Sequence, residues 1–181
     1  AVDAEKFRYD AQVRNNIRNE LGLGNTFVVG HVGNFCYVKN YPFLIDVFAK
    51  VMKQIPDAQL ILAGNGLQFN DVKRRVREMG LERNVLFLGW RADIEAVFQA
   101  MDVFVFPSRF EGLGFVGVEA QLSGLPLVAS DRVPEELKIT EDCRFLSLNQ
   151  SPEVWSDVIV NSKRENRGEL RLLDNIPEFD L

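Results

Sequence analysis

Residues 103–129 read VFVFPSRFEGLGFVGVEAQLSGLPLVA, the segment of the chain that indicates its fold class most clearly. It begins with a short apolar run at 103–106, continues through a loop with two glycines, and ends in a second apolar run at 125–129. The apolar segment 115–123 between the two runs predicts a helix. Strands buried on both faces of a sheet read as short continuous apolar runs, as here. The stretch therefore predicts a strand, a helix and a second strand in one parallel sheet.

The same alternation of apolar strands and helices extends on both sides of this stretch. Further strands are predicted at 26–32, 59–63, 85–88 and 143–146, and further helices at 10–22, 68–79, 93–100 and from about Pro152. Another helix is predicted to start at Asn40-Tyr41-Pro42, with Asn40 as its N-cap and the proline in its first turn. The pattern predicts an α/β protein with a Rossmann-like, three-layer parallel sheet of about six strands and helices on both faces. We expect residues 1–24 to form a linker and lead-in helix, and residues 25–181 to form the domain.

The composition argues against several classes of protein. The 181 residues carry a formal net charge of −5 without a run of Lys or Arg, so nucleic acid is not an expected partner. No apolar stretch approaches the roughly 20 residues that a transmembrane helix needs. The single histidine, His31, lies inside an apolar strand, and Cys36 and Cys143 lack the spacing of metal ligands. No Asp-x-Asp sequence suited to Mg²⁺ occurs either. We expect a core role for His31, no metal, no cofactor, and a reducing, cytoplasmic location.

The loop that follows residues 103–106 is the first candidate for a binding site, because ligands of such sheets lie beyond the carboxyl ends of the strands. Gly112 and Gly114 let the backbone approach a ligand closely. The amides at the start of the helix that follows suit an anion such as a diphosphate. Glycine-rich turns are often purely structural, however, so the glycines alone leave both interpretations open.

Two acids accompany this loop. Glu119 is the only charged residue between Gly112 and Ser130, and a carboxylate on such an apolar helix needs hydrogen-bond donors. Ribose hydroxyls and the backbone amides of a neighbouring loop are equally suitable donors. Glu111 precedes the helix; it contacts sugar hydroxyls, stabilises developing positive charge, or is simply a solvated loop acid.

Residues 111–126 read EGLGFVGVEAQLSGLP and resemble the E-x₇-E signature of the glycosyl transferases group 1 family. These are retaining enzymes with the two-domain GT-B fold, and they include bacterial capsular and exopolysaccharide enzymes. The resemblance covers nearly the whole chain, in the family's order and spacing. The other matching segments are Val2-Asp3 with Phe7, 18–23, 31–35 with Lys39 and Asn40, 61–64, 84–89, 102–108, 130–131, and Phe179-Asp180. Each segment alone is weak evidence, but the set is specific to the C-terminal, donor-binding domain.

The resemblance implies a role for each matching residue. Glu119 would bind the ribose of a nucleotide, and Glu111 would contact the reactive side of the donor sugar. Lys39 would neutralise the departing diphosphate; a lysine just before a helix start suits an anion on independent grounds, although a loop lysine is usually only solvated. The diphosphate would be held by the backbone of three residues: Gly114, Phe115 and Val116.

Three further positions match regions that border the nucleotide in the family: Gly33 after the first strand, Gly64 after the second, and Arg91 after the third. Backbone groups would read the base there, with Arg91 as the weaker candidate. Asn34 departs from the family pattern, which usually has an arginine that acts with the lysine on the diphosphate. An asparagine brings no charge. It implies weaker donor binding or slower transfer, compensation by another cation such as Arg109, or an altered donor.

The reaction implied by the resemblance is hexosyl transfer from a nucleotide-diphosphate sugar to an acceptor hydroxyl with retention, in cell-surface polysaccharide synthesis. The partners implied are the nucleotide sugar and the family's N-terminal acceptor domain. We expect that domain to be absent from this chain, which would then bind the donor without turnover; any membrane contact would be peripheral and through the absent half. Two alternatives stay open. One is an epimerase or phosphorylase of the same fold, although no pyridoxal phosphate region of a phosphorylase is found. The other is a non-catalytic nucleotide-binding or interaction domain.

Overall fold

A computed structural model describes residues 2–162, 167–169 and 172–173. The helices of this part of the chain are α1 (Ala4–Phe7), α2 (Ala11–Glu20), α3 (Tyr41–Gln54), α4 (Phe69–Glu78), α5 (Ile94–Ala100), α6 (Phe115–Leu122) and α7 (Pro152–Asn161). The strands are β1 (Val28–Val32), β2 (Gln59–Ala63), β3 (Val85–Gly89), β4 (Val103–Phe106), β5 (Leu127–Ser130) and β6 (Cys143–Leu146). Short 3-10 helices occupy Tyr37–Lys39 and Glu135–Leu137.

The six strands form one parallel sheet in the order β3-β2-β1-β4-β5-β6. This confirms the predicted Rossmann-like class. β1 pairs with β2 on one side, where Val28 lies opposite Gln59, and with β4 on the other, where Val29 lies opposite Val103. The strand order therefore reverses between β1 and β4.

Both faces of the sheet are covered by helices, as predicted for strands that are apolar along their whole length. One core layer lies under α2, α5 and α6 and includes Phe98, Phe104 and Val118. The other lies under α3, α4 and α7 and includes Phe48 and Trp155. Because both faces of the sheet are buried in apolar layers, we look for a polar binding site at the two ends of the strands.

Element boundaries follow the sequence closely, with shifts that have simple causes. The lead-in helix ends before Gly22 and Gly24, which adopt φ of 66° and 53° as the two predicted stop signals. The strand predicted at 125–129 begins instead at Leu127. Pro126 has no N–H for the ladder, and only its carbonyl takes part, by accepting the Phe104 amide at 2.9 Å.

Asn40 occupies the predicted N-cap position of α3, with the proline in the first turn, but the side-chain capping bond expected there is not formed. Asn40 adopts the left-handed conformation, with φ 56° and ψ 43°, and its side chain makes no capping hydrogen bond. Its Oδ1 accepts instead from Nη2 of Arg109 at 2.8 Å. A tertiary contact has thus replaced the local one that the sequence predicted.

Three further features named from the sequence are a matching pair near the C-terminus, the two cysteines and the absence of a long apolar stretch. The matching pair Phe179-Asp180 lies outside the described residues. Both cysteines are free, with Cys143 buried and Cys36 half-buried. None of the helices described above combines the length and the apolar character that crossing a membrane would require.

Candidate functional site

The candidate site lies where the strand order reverses, beyond the carboxyl ends of β1 and β4. In an open parallel sheet the connections after two such strands leave toward opposite faces, which opens a crevice between them. The loop after β1 carries Gly33, Asn34 and Lys39, and the loop after β4 carries Glu111 and Gly114. The topology therefore brings together residues that are far apart in the sequence.

Lys39 and Glu111 meet across this crevice. Lys39 is the last residue of a 3-10 helix, and its Nζ lies 2.6 Å from Oε1 of Glu111. Their side chains are 16% and 13% exposed, so the pair is largely shielded but not sealed. The ammonium also lies 4.9 Å from the centre of the Phe106 ring. The two residues predicted to be catalytic thus form one ion pair.

Backbone forms the floor beneath this lysine. The Gly33 amide donates to the Ala63 carbonyl at 3.0 Å, and a Cβ on Gly33 would lie 3.1 Å from Cε of Lys39. Gly64 has φ 138°, and a Cβ there would lie 2.1 Å from the Gly33 carbonyl oxygen. Glycine is required at Gly64 because any side chain would displace the backbone on which Lys39 rests.

The N-terminus of α6 opens beside the pair. Gly114 precedes the helix with φ 70°, and no side chain of the described residues caps it. The first-turn amides of a helix have no intrahelical acceptor, so those of Phe115 and Val116 remain available for an anion. Phe115 is exposed, and Phe106 packs beneath Gly114. Gly114, Phe115 and Val116 therefore lie at an uncapped helix start, where the sequence placed them.

Glu119 lies one turn further along α6 and is half-buried. Burial raises the pKa of its carboxyl, and the positive charge of Lys6 partly opposes this. Among residues 2–162, 167–169 and 172–173, no group donates a hydrogen bond to the carboxylate. The alternative in which neighbouring loop amides satisfy Glu119 is therefore not what the described structure shows.

Asn34 and Arg91, two further predicted residues, take no part in the Lys39–Glu111 ion pair. Asn34 is exposed in the loop after β1. Arg91 is engaged by acids: Nη2 lies 2.7 Å from Oδ2 of Asp93, and Nη1 lies 3.1 Å from Oε1 of Glu20. Hydrogen bonds with Asp93 raise the pKa of Arg91. Base reading by Arg91 would require exchange of these partners, and it stays a prediction.

The core role of His31 is confirmed. Its ring is fully buried between Tyr41 and Phe104, and Nδ1 lies 2.8 Å from the Val105 carbonyl oxygen. Burial lowers the pKa of His31 to about 3, so the ring is neutral at physiological pH. It supplies shape and no charge beneath the site.

Sequence reasoning missed two supports of this site. The buried Tyr41 hydroxyl donates to the Gly33 carbonyl at 2.7 Å and fixes the turn after β1. Arg109, considered only as a replacement cation, contacts the segment around Lys39. In the sequence, the only sign of the Tyr41 contact is a hydroxyl on an otherwise apolar helix face. Its partner is a backbone carbonyl, which no sequence motif identifies.

Comparisons with known proteins identify the family to which the chain belongs. Residues 26–162 match the model of the family "Glycosyl transferases group 1". The putative glycosyltransferase EpsF of Bacillus subtilis is 34% identical over 172 residues, which are 92% of this chain and 44% of EpsF. An Escherichia coli UDP-Gal:alpha-D-GlcNAc-diphosphoundecaprenol alpha-1,3-galactosyltransferase is 36% identical, over 72% of this chain and 35% of that enzyme. The chain thus spans less than half the length of these curated relatives.

Solved structures give the same result. Anabaena Alr3699/HepE in complex with UDP superposes with a TM-score of 0.80 and 29% identity, over 89% of this chain and 45% of that protein. The C-terminal domain of a glycosyl transferase group 1 family protein, LpcC from Francisella tularensis, has the same fold, with a TM-score of 0.75 at 20% identity. That match covers 89% of this chain and 87% of the LpcC domain. The chain belongs to the glycosyl transferases group 1 family, and its fold is that of the family's C-terminal domain.

Proposed function

We propose that this chain binds the nucleotide-diphosphate sugar of a glycosyltransferase that transfers the sugar to an acceptor hydroxyl with retention. Two findings on relatives support the choice of donor. HepE has been crystallised with UDP and with UDP-glucose. The galactosyltransferase related to this chain is named for a UDP-galactose donor and a lipid-linked acceptor. A role in cell-surface polysaccharide synthesis is part of the proposal.

The observation that carries the proposal is the half-buried carboxylate of Glu119, which has no hydrogen-bond donor among the described residues. It lies on the helix whose uncapped start faces the crevice. A nucleoside diphosphate presents hydroxyl donors on its ribose and, a short distance away, an anion. Glu119 matches the hydroxyls, and the amides of Phe115 and Val116 match the diphosphate. Lys39 adds a positive charge at the same place.

Binding and transfer use the Lys39–Glu111 pair differently. In the free chain the ammonium is held by Glu111 at 2.6 Å. A bound diphosphate would share or replace that carboxylate as the partner of Lys39. The bond from the anomeric carbon to the diphosphate breaks, a bond to the acceptor oxygen forms, and the acceptor hydroxyl gives its proton to an oxygen of the departing diphosphate. The negative charge that grows on the diphosphate is stabilised by Lys39 and the helix amides. Glu111 then faces the positive charge that develops on the sugar. The proposal includes no metal, because Lys39 supplies the cation.

Calorimetric titration of UDP, GDP and their sugars tests the binding step. We expect a binding free energy on the order of 4–8 kcal/mol for the correct nucleotide, unchanged by EDTA. Lys39→Ala and Glu119→Ala should each weaken binding about ten- to a hundredfold, because each removes a charged hydrogen-bonding group. Arg74→Ala, which removes an exposed guanidinium on α4, matches the charge change of Lys39→Ala, and Asp71→Ala, which removes an exposed carboxylate, matches that of Glu119→Ala. Unchanged affinity in both site variants would remove the site assignment.

Transfer itself is expected to need more than this chain, which spans 44% of EpsF. Incubation with a UDP-sugar and candidate acceptors should therefore show binding without turnover. Sugar transfer by the chain alone would contradict this expectation, and a changed sugar without any acceptor would favour an epimerase.

A non-catalytic nucleotide-binding domain is the second candidate, and the exposed Asn34 favours it, since it replaces the family's arginine by a neutral side chain. A transfer assay on this chain joined to an acceptor-binding domain distinguishes the two candidate functions. Binding without transfer to any acceptor would support the non-catalytic role.

A further inference from the structure

Arg109 joins the same two loops that the Lys39–Glu111 pair joins. It follows β4 and lies two positions before Glu111. Its amide donates to the Val38 carbonyl at 2.8 Å, and its Nη2 donates to Oδ1 of Asn40 at 2.8 Å. Its guanidinium lies 4.4 Å from the centre of the Tyr37 ring. All three contacts are made with residues within two positions of Lys39 in the sequence.

Asn40 shows that this contact shapes the backbone. It is the one non-glycine residue with positive φ in the described part of the chain, and it is buried. Asparagine tolerates the left-handed conformation better than most residues, but the conformation still costs conformational free energy. The hydrogen bond from Arg109 compensates for that cost and fixes the chain direction immediately after Lys39.

The same contacts distinguish Arg109 from Lys39 in function. Arg109 places its guanidinium over the Tyr37 ring and one Nη on Asn40, two contacts that a lysine ammonium would not make together. Lys39 has Glu111 as its only hydrogen-bond partner in the described residues, and a ligand anion can exchange with that carboxylate. Arg109 therefore engages protein groups through Nη2 and the face of Tyr37, while its buried Nε has no hydrogen-bond partner among the described residues. Lys39, by contrast, can exchange Glu111 for a ligand anion.

We propose that Arg109 is a positioning residue that clamps Tyr37–Asn40 against the loop after β4 and so sets where the Lys39 ammonium lies relative to Glu111. The inference rests on the proposed function only in assuming that Lys39 contacts the diphosphate. It does not depend on which nucleotide is bound. It also means that Arg109 does not act as the replacement for the charge that Asn34 lacks.

A ligand-free measurement tests the clamp directly. In protein labelled with ¹⁵N-lysine, the Lys39 ammonium is assigned by its loss in Lys39→Arg, and its exchange with solvent reports the pair with Glu111. We expect faster exchange or a shifted signal in Arg109→Ala, and no change in the control Arg74→Ala. Asn40→Gly keeps the left-handed backbone but removes the Oδ1 acceptor, so it should shift the signal in the same direction even where Arg109→Ala fails to fold. An unchanged Lys39 signal in the folded variants would overturn the proposal.

A double-mutant cycle with UDP tests the functional consequence. Arg109→Ala should weaken UDP binding about tenfold in the wild-type background and less than about twofold in Lys39→Ala, because it acts through the lysine. Arg109→Lys should recover little, since it restores the charge but not the simultaneous contacts with Tyr37 and Asn40. Effects that multiply fully in the double variant, or full recovery by lysine, would show direct contact with the ligand and overturn the proposal. If the wild-type chain binds no nucleotide, the proposed function fails, and the ammonium signal still decides the role of Arg109.

Discussion

Charged side chains lie at the amino ends of β1 and β4 and also at their carboxyl ends, but the two groups have different hydrogen-bond partners. At the amino ends, Asp102 is bound by Arg14 at 2.7 Å and by the Val28 amide at 2.8 Å, with Arg18 at 3.5 Å. At the carboxyl ends, Lys39 and Glu111 form an ion pair with each other. Glu119 nearby has no donor within the described residues.

The arginines at the amino ends are occupied by backbone carbonyls. Arg18 donates to the carbonyls of Gly24, Ala100 and Thr26, and Arg14 donates to those of Gln99 and Met101. Several of these carbonyls end helix α5, where cations are favoured by the helix dipole. A cavity of about 540 Å³ borders this cluster, yet Arg14 and Arg18, which line it, already donate to protein carbonyls. A cavity lined by charges is therefore not a binding site when those charges are already bonded within the fold.

Asp102→Ala should have the largest effect, and it should fall on stability alone. Removing one partner of a buried pair leaves uncompensated charge, here on Arg14 and Arg18, and costs about 3–5 kcal/mol. Urea unfolding measures this loss, and UDP affinity per folded molecule should stay unchanged. Asp71→Ala is the matched control, because Asp71 pairs with Arg74 at 2.8 Å but both side chains are 63% exposed. It should cost less than about 1 kcal/mol. Equal losses in the two variants would contradict the distinction between the ends.

Glu119→Gln should change stability and binding in opposite directions. Burial raises the pKa of Glu119, so its ionised form destabilises the folded chain at neutral pH. The amide removes that cost, and the free energy of unfolding should rise by up to about 1 kcal/mol. UDP affinity should fall about tenfold, because the charged acceptor for hydroxyls is lost. Denaturant unfolding and calorimetry on the same samples measure both. A variant that loses stability would show that Glu119 serves the fold, like Asp102.

The sequence predicts the sheet more completely than the site, for a physical reason. Strands such as β2 and β4 coincide with their predicted ranges, because an apolar run buried on both faces is a local property. The meeting of Lys39 with Glu111 spans 72 positions, and topology predicts only that their loops share one edge. The left-handed Asn40 could not be predicted, since its partner Arg109 lies 69 positions away. Local patterns predict elements, whereas these pairings depend on the assembled sheet.

The pH dependence of binding separates Glu119 from the other charges of the site. Because its folded pKa is raised, the ionised form that accepts ribose hydroxyls is lost as the pH falls through that raised pKa. UDP affinity of the wild-type chain should therefore decline by a few-fold more than that of Glu119→Gln over the same acidification. Comparing the two proteins cancels the titration of the UDP phosphates. Parallel affinity curves would mean that Glu119 does not contact the nucleotide.

Asn34→Arg should have the smallest effect and should sharpen the contrast between the two ends of β1. An exposed arginine beside the crevice adds one cation near the diphosphate, and such pairs contribute about 0.2–1 kcal/mol. UDP affinity should rise by about two- to fivefold at low salt, and the gain should shrink at high salt because exposed charges are screened. The matched control is Asn25→Arg, since Asn25 is also exposed but precedes the opposite end of β1. It adds the same charge where the existing arginines bind carbonyls. If UDP affinity rose equally in both variants, binding would depend on net charge and not on the position of the cation. The crevice would then not be the nucleotide site.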